Sequence, residues 1–344
     1  MQAIGTAWVF RFRAQRLRCC GTQGRLLTRH LTVAAAQMGP IQRADTRDEV
    51  VERLIYLLRD AAAQNAELIA FPEMALTTFF PRWVMPIEEA DEFYETEMPN
   101  VHTQPLWDEA LRLGVGFTLG YALKTEDDHR YNIYHMVDKT GRTVGLYRKV
   151  HIPGHQEFEP WREFQHAERR YFEPGDDFPV WDTFGAVVGM AICNDRRWSE
   201  TYRVMGLQGV ELIIIGYNTP LNYAPDPTQT PLQSFHNHLV MQAGAYQNGT
   251  YVIGVAKGGI EEGVESLAQS AIIAPSGQIV RQAVTTGDEV VVARIDLDQT
   301  KYYKGTLFDF ERYRVPAAYE RIAAAGVDAE VERLDLADGP PADL

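Results

Sequence analysis

The sequence contains very little cysteine. Only three of its 344 residues are cysteines, and two of these are the adjacent Cys19 and Cys20. So few thiols cannot form a disulfide framework for a chain of this length, which favours a reducing compartment and a cytoplasmic location. Cys193 is then the one cysteine beyond the first twenty residues, and it can be considered as a single thiol.

Positive charge and long apolar runs are also scarce. The chain has 33 basic residues against 47 acidic ones, with a formal net charge of −14 at pH 7. Nucleic acids and anionic membrane surfaces are bound by basic surfaces, so we expect neither as a partner. No apolar stretch approaches the ~20 residues that a membrane-spanning helix requires. With 45% hydrophobic residues, the sequence predicts a globular protein with a large core.

The two ends of the chain differ in composition from the rest. Residues 1–30 contain six arginines and no acid, and residues 326–344 are acidic and end in "DGPPADL". Transit peptides are also rich in arginine and poor in acids, which leaves a targeting role open, but the first segment has little serine and no helical apolar stripe. We predict a basic, disordered extension over 1–30, or an over-long start assignment, and a flexible tail over 326–344.

Residues 31–325 alternate apolar β-rich runs with amphipathic stretches, the pattern of an α/β domain. The clearest helix starts at Thr46, because Thr46 and Glu49 have the spacing of a capping box. No Pro- or Gly-rich linker divides these residues, which favours a single domain. Further helices are predicted over 103–113, 199–208 and 232–246, and strands over 31–39, 66–73, 115–123, 131–138, 143–152, 186–194, 210–218, 250–259, 269–277 and 289–298.

Three of the predicted strands end in residues that can carry chemistry. Glu73 ends "LIAFPE", Lys149 ends "LYRK", and Cys193 ends "AVVGMAIC". Open α/β sheets place their ligands at the carboxyl ends of strands. Two arginines and a helix start follow Cys193, so we expect a lowered thiol pKa, and burial would raise the pKa of Glu73 towards that of a general base. Taken singly, a buried cysteine is more often a small apolar residue, and a glutamate or lysine a surface residue.

Together, these motifs resemble one family. "FPE", "YRKVHIPG" and "ICNDRRW", in this order, are similar to the Glu-Lys-Cys motifs of the nitrilase superfamily of carbon-nitrogen hydrolases, and the resemblance covers about residues 31–325. The blocks "FPEMALTTFFPRW", "FQHAERRYFEPGD" and "MQAGAYQNG" are similar to the N-carbamoyl-D-amino-acid hydrolases within it. The resemblance implies a four-layer αββα sandwich that forms a homodimer or homotetramer and uses neither a metal nor an organic cofactor.

The resemblance also implies a reaction and the residues that perform it. Cys193 is the nucleophile, Lys149 stabilises the oxyanion, and Glu73 is the general base, with Glu168 as a second acid beside the lysine. The substrate is a small N-carbamoyl amino acid. Attack of the thiol on the ureido carbonyl would expel ammonia and leave a carbamoyl thioester, which water then hydrolyses to release the D-amino acid and carbon dioxide.

The residues expected to bind the substrate follow from the same comparison. A planar guanidinium can bind both oxygens of a carboxylate, so Arg196 and Arg197 are the candidates for the substrate carboxylate, with a structural salt bridge as the alternative for one of them. The backbone N–H near Asn194 is expected to assist Lys149. The remaining candidates are Asn218, Thr219, His151, His166 and His236. "HNH" at 236–238 alone is weak evidence of a metal site, and we predict none.

Some features separate this chain from the family pattern and keep other functions open. Residues 220–234 drift from the family sequence, Ser199 stands where proline is common, and Asn237 replaces a second histidine. A β-ureido acid or an aliphatic amide could be the substrate of the same triad. A catalytically silent scaffold is the alternative outside the enzymes, and the intact Glu73, Lys149 and Cys193 argue against it.

Overall fold

The computed structural model describes residues 28–324, 326, 339 and 340, and every helix and strand within them lies between residues 30 and 323. The strands are β1 (His30–Gln37), β2 (Leu68–Ala70), β3 (Tyr94–Glu95), β4 (Gly116–Lys124), β5 (Arg130–Val137), β6 (Thr143–Arg148), β7 (Val180–Thr183), β8 (Ala186–Ile192), β9 (Leu212–Tyr217), β10 (Tyr251–Ala256), β11 (Gly258–Glu261), β12 (Val264–Leu267), β13 (Ala271–Ile273), β14 (Ile279–Gln282) and β15 (Glu289–Asp296).

The α-helices are α1 (Arg47–Ala63), α2 (Ile87–Ala90), α3 (Gln104–Leu113), α4 (Glu168–Tyr171), α5 (Ser199–Leu207), α6 (Gln233–Asn248), α7 (Gln299–Lys304), α8 (Phe310–Tyr313) and α9 (Glu320–Ala323). Short 3-10 helices span Phe80–Arg82, Asp91–Phe93, Cys193–Arg197, Pro227–Leu232 and Pro316–Tyr319. None of the helices in the described part of the chain is long and apolar enough to cross a membrane.

The strands form two mixed sheets and one separate hairpin. The first sheet has the order β15-β1-β2-β4-β5-β6, with β3 paired to β4, and the second has the order β14-β13-β10-β9-β8-β7. Strands β1, β2 and β4 are parallel to one another, as are β8, β9 and β10. Within the described residues, β11 and β12 form a hairpin with each other, and Ser266 of β12 also bridges Pro220. Each of the ten strands and four helices predicted from the sequence is present in the structure.

The sheets pack face to face, and helices cover their outer faces. Successive side chains of a strand point to opposite sides, and β1 shows this directly. Val33 and Ala35 belong to the core between the sheets, whereas Ala34 and Ala36 belong to the core beneath α1 and α3. α5 and α6 cover the second sheet. The arrangement is the predicted four-layer αββα sandwich.

The ends of the described region refine the predicted domain. β1 already begins at His30, and Arg29 pairs with Glu211 and Asp298. Residues 1–27, most of the predicted extension, lie outside the described residues. Of the predicted tail, the structure describes only residues 326, 339 and 340. The extension and the tail therefore remain predictions.

Sequence analysis missed several short elements. The hairpin of β11 and β12 lies in "GGIEEGVESL", where polar residues and glycines interrupt any apolar alternation. β7 and β14 each have four residues and no fully buried position. Elements this short and this exposed carry almost no periodic signal, because periodicity reports burial on one face.

Candidate active site

The candidate site lies where the carboxyl ends of strands from both sheets meet. Glu73 follows β2, and Lys149 comes directly after β6 of the first sheet. In the second sheet, Cys193 follows β8, and Asn218 follows β9. These strand ends share one edge of the sandwich. The sequence-based grouping of Glu73, Lys149 and Cys193 is thus matched by one location in the fold.

Lys149 lies between two carboxylates and is fully buried with them. Its Nζ donates to Glu73 Oε1 at 2.8 Å and to Glu168 Oε2 at 2.5 Å, and all three side chains have 0% exposure. Glu168 also accepts a hydrogen bond from His166 Nε2 through Oε1 at 3.0 Å. An ammonium group has three N–H donors, so Lys149 keeps one for another acceptor.

The buried charges of this cluster support one another. Burial disfavours the Lys149 ammonium, but the charges of Glu168 and Glu73 outweigh it and raise the pKa of Lys149. Burial likewise opposes ionisation of Glu168, and the nearby Lys149 and His166 nevertheless lower the pKa of that carboxyl. The site therefore holds the Lys149 cation beside the Glu168 carboxylate, which suits Lys149 to stabilise a developing negative charge rather than to transfer a proton.

The two oxygens of Glu73 have different partners. Oε1 accepts from Lys149 and from Asn132 Nδ2 at 2.7 Å, whereas the partner of Oε2 among the described residues is the backbone N–H of Asn218, at 2.8 Å. Asn132 is a buried residue of β5 that sequence analysis missed. Its only sequence signal is an amide inside the otherwise apolar and aromatic run "YNIYHMV".

Cys193 adopts a backbone conformation that few residues other than glycine occupy. Its φ of +46° lies in the left-handed region, at the point where β8 turns into the 3-10 helix Cys193–Arg197. Strain of this kind persists where the surrounding structure enforces it. Sγ lies 3.6 Å from Thr219 Oγ1 and 3.7 Å from Arg196 Nη1. The sharp turn directs the thiol towards the residues that follow β9.

The predicted direction of the Cys193 pKa is wrong. Burial and the negative charge of Glu73 raise the pKa of the thiol, and the positive charges of Lys149 and Arg196 offset this only in part. The sequence shows the arginines but not the burial. Because the resting thiol is protonated, it needs a general base to become a nucleophile, and the charge of Glu73 affects it more than that of Glu168.

Asp195 connects the turn that carries Cys193 to the residues at and after the end of β6. Its Oδ2 accepts from the Ile192 N–H at 3.0 Å and from the Tyr147 hydroxyl at 2.7 Å. Its Oδ1 accepts from the His151 N–H at 2.9 Å and pairs with His151 Nδ1 at 2.8 Å. The His151 ring also stacks on Trp198, with centroids 4.8 Å apart. His151 thus lies in the support of the site, and Asp195 is a second residue that sequence analysis did not select.

A cavity of about 540 Å³ opens in front of Cys193. Its lining includes five of the predicted substrate-binding residues. These are Asn194, Arg197, Asn218, Thr219 and His166. Much of the remaining wall is apolar and aromatic, formed by Phe79, Trp161, Phe164, Tyr223, Pro225 and Val264. Arg196, His151 and His236 are not part of this lining within the described residues, and their predicted roles in binding remain predictions.

The two arginines after Cys193 have different surroundings. Arg196 is buried, and each of its three nitrogens donates to a neutral acceptor: Nε to Asn237 Oδ1, Nη1 to the Cys193 carbonyl, and Nη2 to Thr219 Oγ1. Its guanidinium also stacks over Tyr217 at 4.5 Å. Arg197 lies in the cavity wall. Its Nη2 donates a long hydrogen bond of 3.5 Å to Gln233 Oε1.

Neither arginine forms a salt bridge with a carboxylate in the described part of the chain, so the structural alternative considered for one of them has no partner there. The Arg197 side chain is exposed, but the surrounding protein and the positive charge of Arg196 lower its pKa, a sign that its cation is not neutralised. An anion that entered the cavity would supply the missing charge. Among the described residues, no group of three or more histidines, cysteines and acids is arranged to hold a metal ion.

Comparison of the sequence with known proteins identifies relatives over most of its length. The model of the carbon-nitrogen hydrolase family matches residues 32–304. An N-carbamoylputrescine amidase of Solanum lycopersicum is 30% identical over 291 residues, which cover 79% of this chain and 88% of the relative. A citrullinase of Francisella tularensis is 32% identical over 200 residues, or 56% of this chain and 65% of the relative.

The fold also matches solved structures. A carbon-nitrogen hydrolase from Helicobacter pylori superimposes with a TM-score of 0.73 at 20% sequence identity, over 87% of this chain and all of that one. At this level of identity, the match concerns the sandwich fold.

Proposed function

The chain belongs to the carbon-nitrogen hydrolase family, and we propose that it hydrolyses the ureido C–N bond of N-carbamoyl-D-amino acids. The observation that carries the substrate class is Arg197, a guanidinium in the wall of the cavity without a carboxylate partner among the described residues. A guanidinium can donate two parallel N–H bonds to a carboxylate, so a substrate carboxylate is the anion that fits Arg197 in a planar, bidentate geometry.

The first half of the proposed reaction forms a covalent intermediate. Glu73 Oε2 accepts the proton of Cys193 as Sγ attacks the ureido carbonyl carbon. The third N–H of Lys149 and a backbone N–H near Asn194 stabilise the negative charge on the carbonyl oxygen. Glu73 returns the proton to the terminal nitrogen, the C–N bond breaks, and ammonia leaves. The amino acid nitrogen stays attached to the carbonyl of a carbamoyl thioester.

The second half of the reaction releases the product. Glu73 removes a proton from water, which attacks the thioester carbonyl while Lys149 again stabilises the oxyanion. The C–S bond breaks, and Cys193 regains a proton. The released N-carboxy amino acid loses carbon dioxide to give the free amino acid. One carboxylate serves both halves because the same Oε2 faces the reacting centre in each.

Two further observations support a substrate that contains a ureido group and carries an apolar side chain. The names of two relatives refer to N-carbamoylputrescine and to citrulline, both of which contain a ureido group. N-carbamoylputrescine bears an amine where the proposed substrate bears a carboxylate, and an unneutralised Arg197 would repel that amine. The aromatic cavity wall suits an apolar side chain. The proposed preference for the D configuration rests on the similarity of the sequence blocks to the N-carbamoyl-D-amino-acid hydrolases.

A panel of substrates tests the proposal. N-carbamoyl-D-phenylalanine is expected to be hydrolysed with release of ammonia, and its L enantiomer, a β-ureido acid, N-carbamoylputrescine, an aliphatic amide and a nitrile more slowly. Faster turnover of the aliphatic amide or the β-ureido acid would favour those alternatives. The absence of turnover for every compound would favour a silent scaffold.

Replacement of Arg197 tests the role of the carboxylate. Arg197→Gln removes a charge-assisted contact worth about 1.5 to 3 kcal/mol, so KM for the acid is expected to rise roughly 10- to 150-fold. Arg197→Lys should restore binding poorly, because a point charge cannot replace the planar fork. The matched control is Arg162→Gln, because Arg162 also lines the cavity but already pairs with Glu159.

The neutral carbamoyl amino amide is the control substrate for these variants. The wild type should hydrolyse it poorly, and Arg197→Gln should discriminate far less between the acid and the amide. An unchanged preference for the acid in Arg197→Gln would remove the main support for a carboxylate-bearing substrate and favour a general amidase.

A further inference from the structure

A second buried cluster of charges lies behind one wall of the cavity. It consists of Arg82, Lys257 and Glu261, which are 4%, 1% and 1% exposed, and none of them takes part in the reaction described above. Moving three charged groups out of water is unfavourable unless their hydrogen bonds are complete.

Both oxygens of Glu261 are fully used as acceptors. Oε1 accepts from the Phe79 N–H at 2.7 Å and from Arg82 Nη2 at 2.6 Å. Oε2 accepts from the Ile41 N–H at 2.9 Å and from Lys257 Nζ at 2.9 Å. The Glu261 carboxylate thus forms hydrogen bonds with the loop after β2, with the loop after β1 and with the residue that follows β10.

The two cations bind the loop after β2 through its carbonyl groups. Arg82 Nε donates to the Phe79 carbonyl at 2.9 Å, and Arg82 Nη1 donates to the Glu261 carbonyl at 2.5 Å. Lys257 Nζ donates to the Thr77 carbonyl at 2.6 Å. The segment from Thr77 to Arg82 is therefore joined to Lys257 and Glu261 by hydrogen bonds that each involve at least one side chain.

Both of the fastened segments are walls of the cavity. Phe79 and Arg82 line it from the loop after β2, and Val264 and Ser266 line it from the β11–β12 hairpin. These segments are far apart in the sequence, since Arg82 and Glu261 are separated by 179 residues. In the described part of the chain, no strand pairing joins these two segments, because β11 and β12 pair with each other and Ser266 of β12 bridges Pro220. The ion cluster joins them directly through hydrogen bonds.

The same loop also supports the segment that carries Glu168. The carbonyls of Pro81 and Arg82 accept the backbone N–H groups of Ala167 and Gln165 at 2.8 and 3.1 Å. The ring of Phe79 also packs on His166, with centroids 5.6 Å apart. A displaced loop would therefore move the cavity wall at Phe79 and Arg82. The hydrogen bonds that hold Glu73 do not involve the cluster.

We propose that Arg82, Lys257 and Glu261 are positioning residues, which hold the Phe79 wall of the cavity against the β11–β12 hairpin and so determine how tightly the cavity binds its substrate. The inference rests on the cavity being the substrate pocket, as proposed above. It goes beyond that proposal, because it assigns a function in substrate binding to three buried charges that touch no reacting atom.

The test compares two Glu→Gln replacements of buried glutamates that each pair with two cations. Glu261→Gln keeps the size of the side chain but loses the charge and one acceptor, so KM is expected to rise by at least about tenfold with kcat within about threefold. The matched control is Glu109→Gln, because Glu109 pairs with Arg59 and Arg112 far from the cavity. It should lower the melting temperature and leave KM unchanged.

A thiol-labelling measurement makes the test independent of the substrate. The alkylation rates of Cys193 by chloroacetamide and by the bulkier N-benzyl-chloroacetamide are compared in each variant. In Glu261→Gln, the rate for the bulky reagent relative to the small one is expected to fall by at least about threefold, because the wall no longer supports the aromatic ring. Glu109→Gln should keep the wild-type ratio.

The outcomes separate this inference from the proposed function. If no ureido acid is turned over, the proposed function fails, whereas the labelling ratio still tests the cluster. A Glu261→Gln protein with wild-type KM, or with a wild-type labelling ratio, would overturn the positioning role and leave the cluster as a contribution to stability. If Glu261→Gln does not fold, Arg82→Lys replaces it, because this variant keeps the charge but cannot make all three donations of Arg82.

Discussion

At the scale of single residues, the site depends on the different environments of neighbouring atoms. Lys149 and Asn132 occupy Glu73 Oε1, whereas Oε2 accepts a backbone N–H as its partner among the described residues and retains an acceptor position for a proton. The same carboxylate acts on Cys193 through its charge, which adds to burial in raising the pKa of the thiol. In the proposed reaction, Glu73 therefore both raises the pKa of the resting thiol and accepts its proton.

This double role of Glu73 gives the first prediction. Glu73→Gln removes the base, so turnover should be lost, but it also removes the negative charge that raises the pKa of Cys193. At a fixed pH below that pKa, the fraction of thiolate is larger when the pKa is lower, so iodoacetamide should label Cys193 faster in Glu73→Gln than in the wild type. The measurement is the labelling rate between pH 6 and 9.

Arg196→Met provides the opposite control for that prediction, since it removes a positive charge that lowers the pKa of the thiol. Its labelling should be slower than that of the wild type. Slower labelling in Glu73→Gln would mean that Glu73 promotes the thiolate of the free enzyme, contrary to the electrostatic argument.

At the scale of secondary structure elements, the decisive feature is the connection between the end of β6 and the turn after β8. These strands belong to different sheets, and the turn from Cys193 to Arg197 contains a residue with positive φ. Asp195 holds this turn with four hydrogen bonds, two of which come from His151 in the loop after β6. Lys149 lies two residues before His151, so the same contacts fix the lysine relative to the nucleophile.

Replacement of Asp195 tests this connection. Asp195→Asn keeps the shape but turns one oxygen into a donor that faces other donors, so the free energy of unfolding should fall by about 2 to 3 kcal/mol. kcat should fall as well, because Cys193 and Lys149 are no longer held in their positions relative to each other. Urea denaturation and steady-state kinetics measure the two effects.

The matched control for Asp195→Asn is Asp288→Asn, which removes a half-exposed ion pair with Arg53 on the far side of the first sheet. It should change stability only slightly and leave kcat at the wild-type value. A fully active Asp195→Asn enzyme would contradict the role of this connection.

At the scale of the whole molecule, the outer face of α5 and α6 carries exposed apolar side chains. Val204 and Leu207 on α5 and Phe235 and Leu239 on α6 are exposed, with Phe235 60% accessible. Contiguous exposed apolar side chains are a feature of protein interfaces. α6 also carries Gln233 and Asn237, which contact Arg197 and Arg196. We propose that this face forms the contact of a homodimer.

Sedimentation velocity tests the proposed assembly. The wild type is expected to sediment as a dimer or tetramer at micromolar concentration, and the double variant Phe235→Asp/Leu239→Asp as a smaller species. Tyr56→Asp is the matched control, because Tyr56 is an equally exposed aromatic residue on α1, on the opposite outer layer. A monomeric wild type, or a double variant with unchanged sedimentation, would exclude this face as the interface.

The α/β class, the main strands and helices, and the candidate reactive residues could be predicted from the sequence alone. Each apolar run reports a buried strand, and a polar residue at its end reports the edge where ligands bind, so Glu73, Lys149 and Cys193 can be found one strand at a time. The motifs around them supplied the family, which the comparisons confirm. The substrate remains a proposal, because the residues that select it lie in the walls of the cavity.

The interactions among these residues become apparent only in the folded protein. Arg196 and Arg197 are adjacent and alike in sequence, yet Thr219 after β9 and Asn237 of α6 bind the first and leave the second facing the cavity. The direction of the Cys193 pKa depends on burial by both sheets, which no local pattern reveals. The cluster around Glu261 joins segments 179 residues apart, and such contacts exist only after the chain has folded, because hydrogen bonds and charges act through space rather than along the sequence.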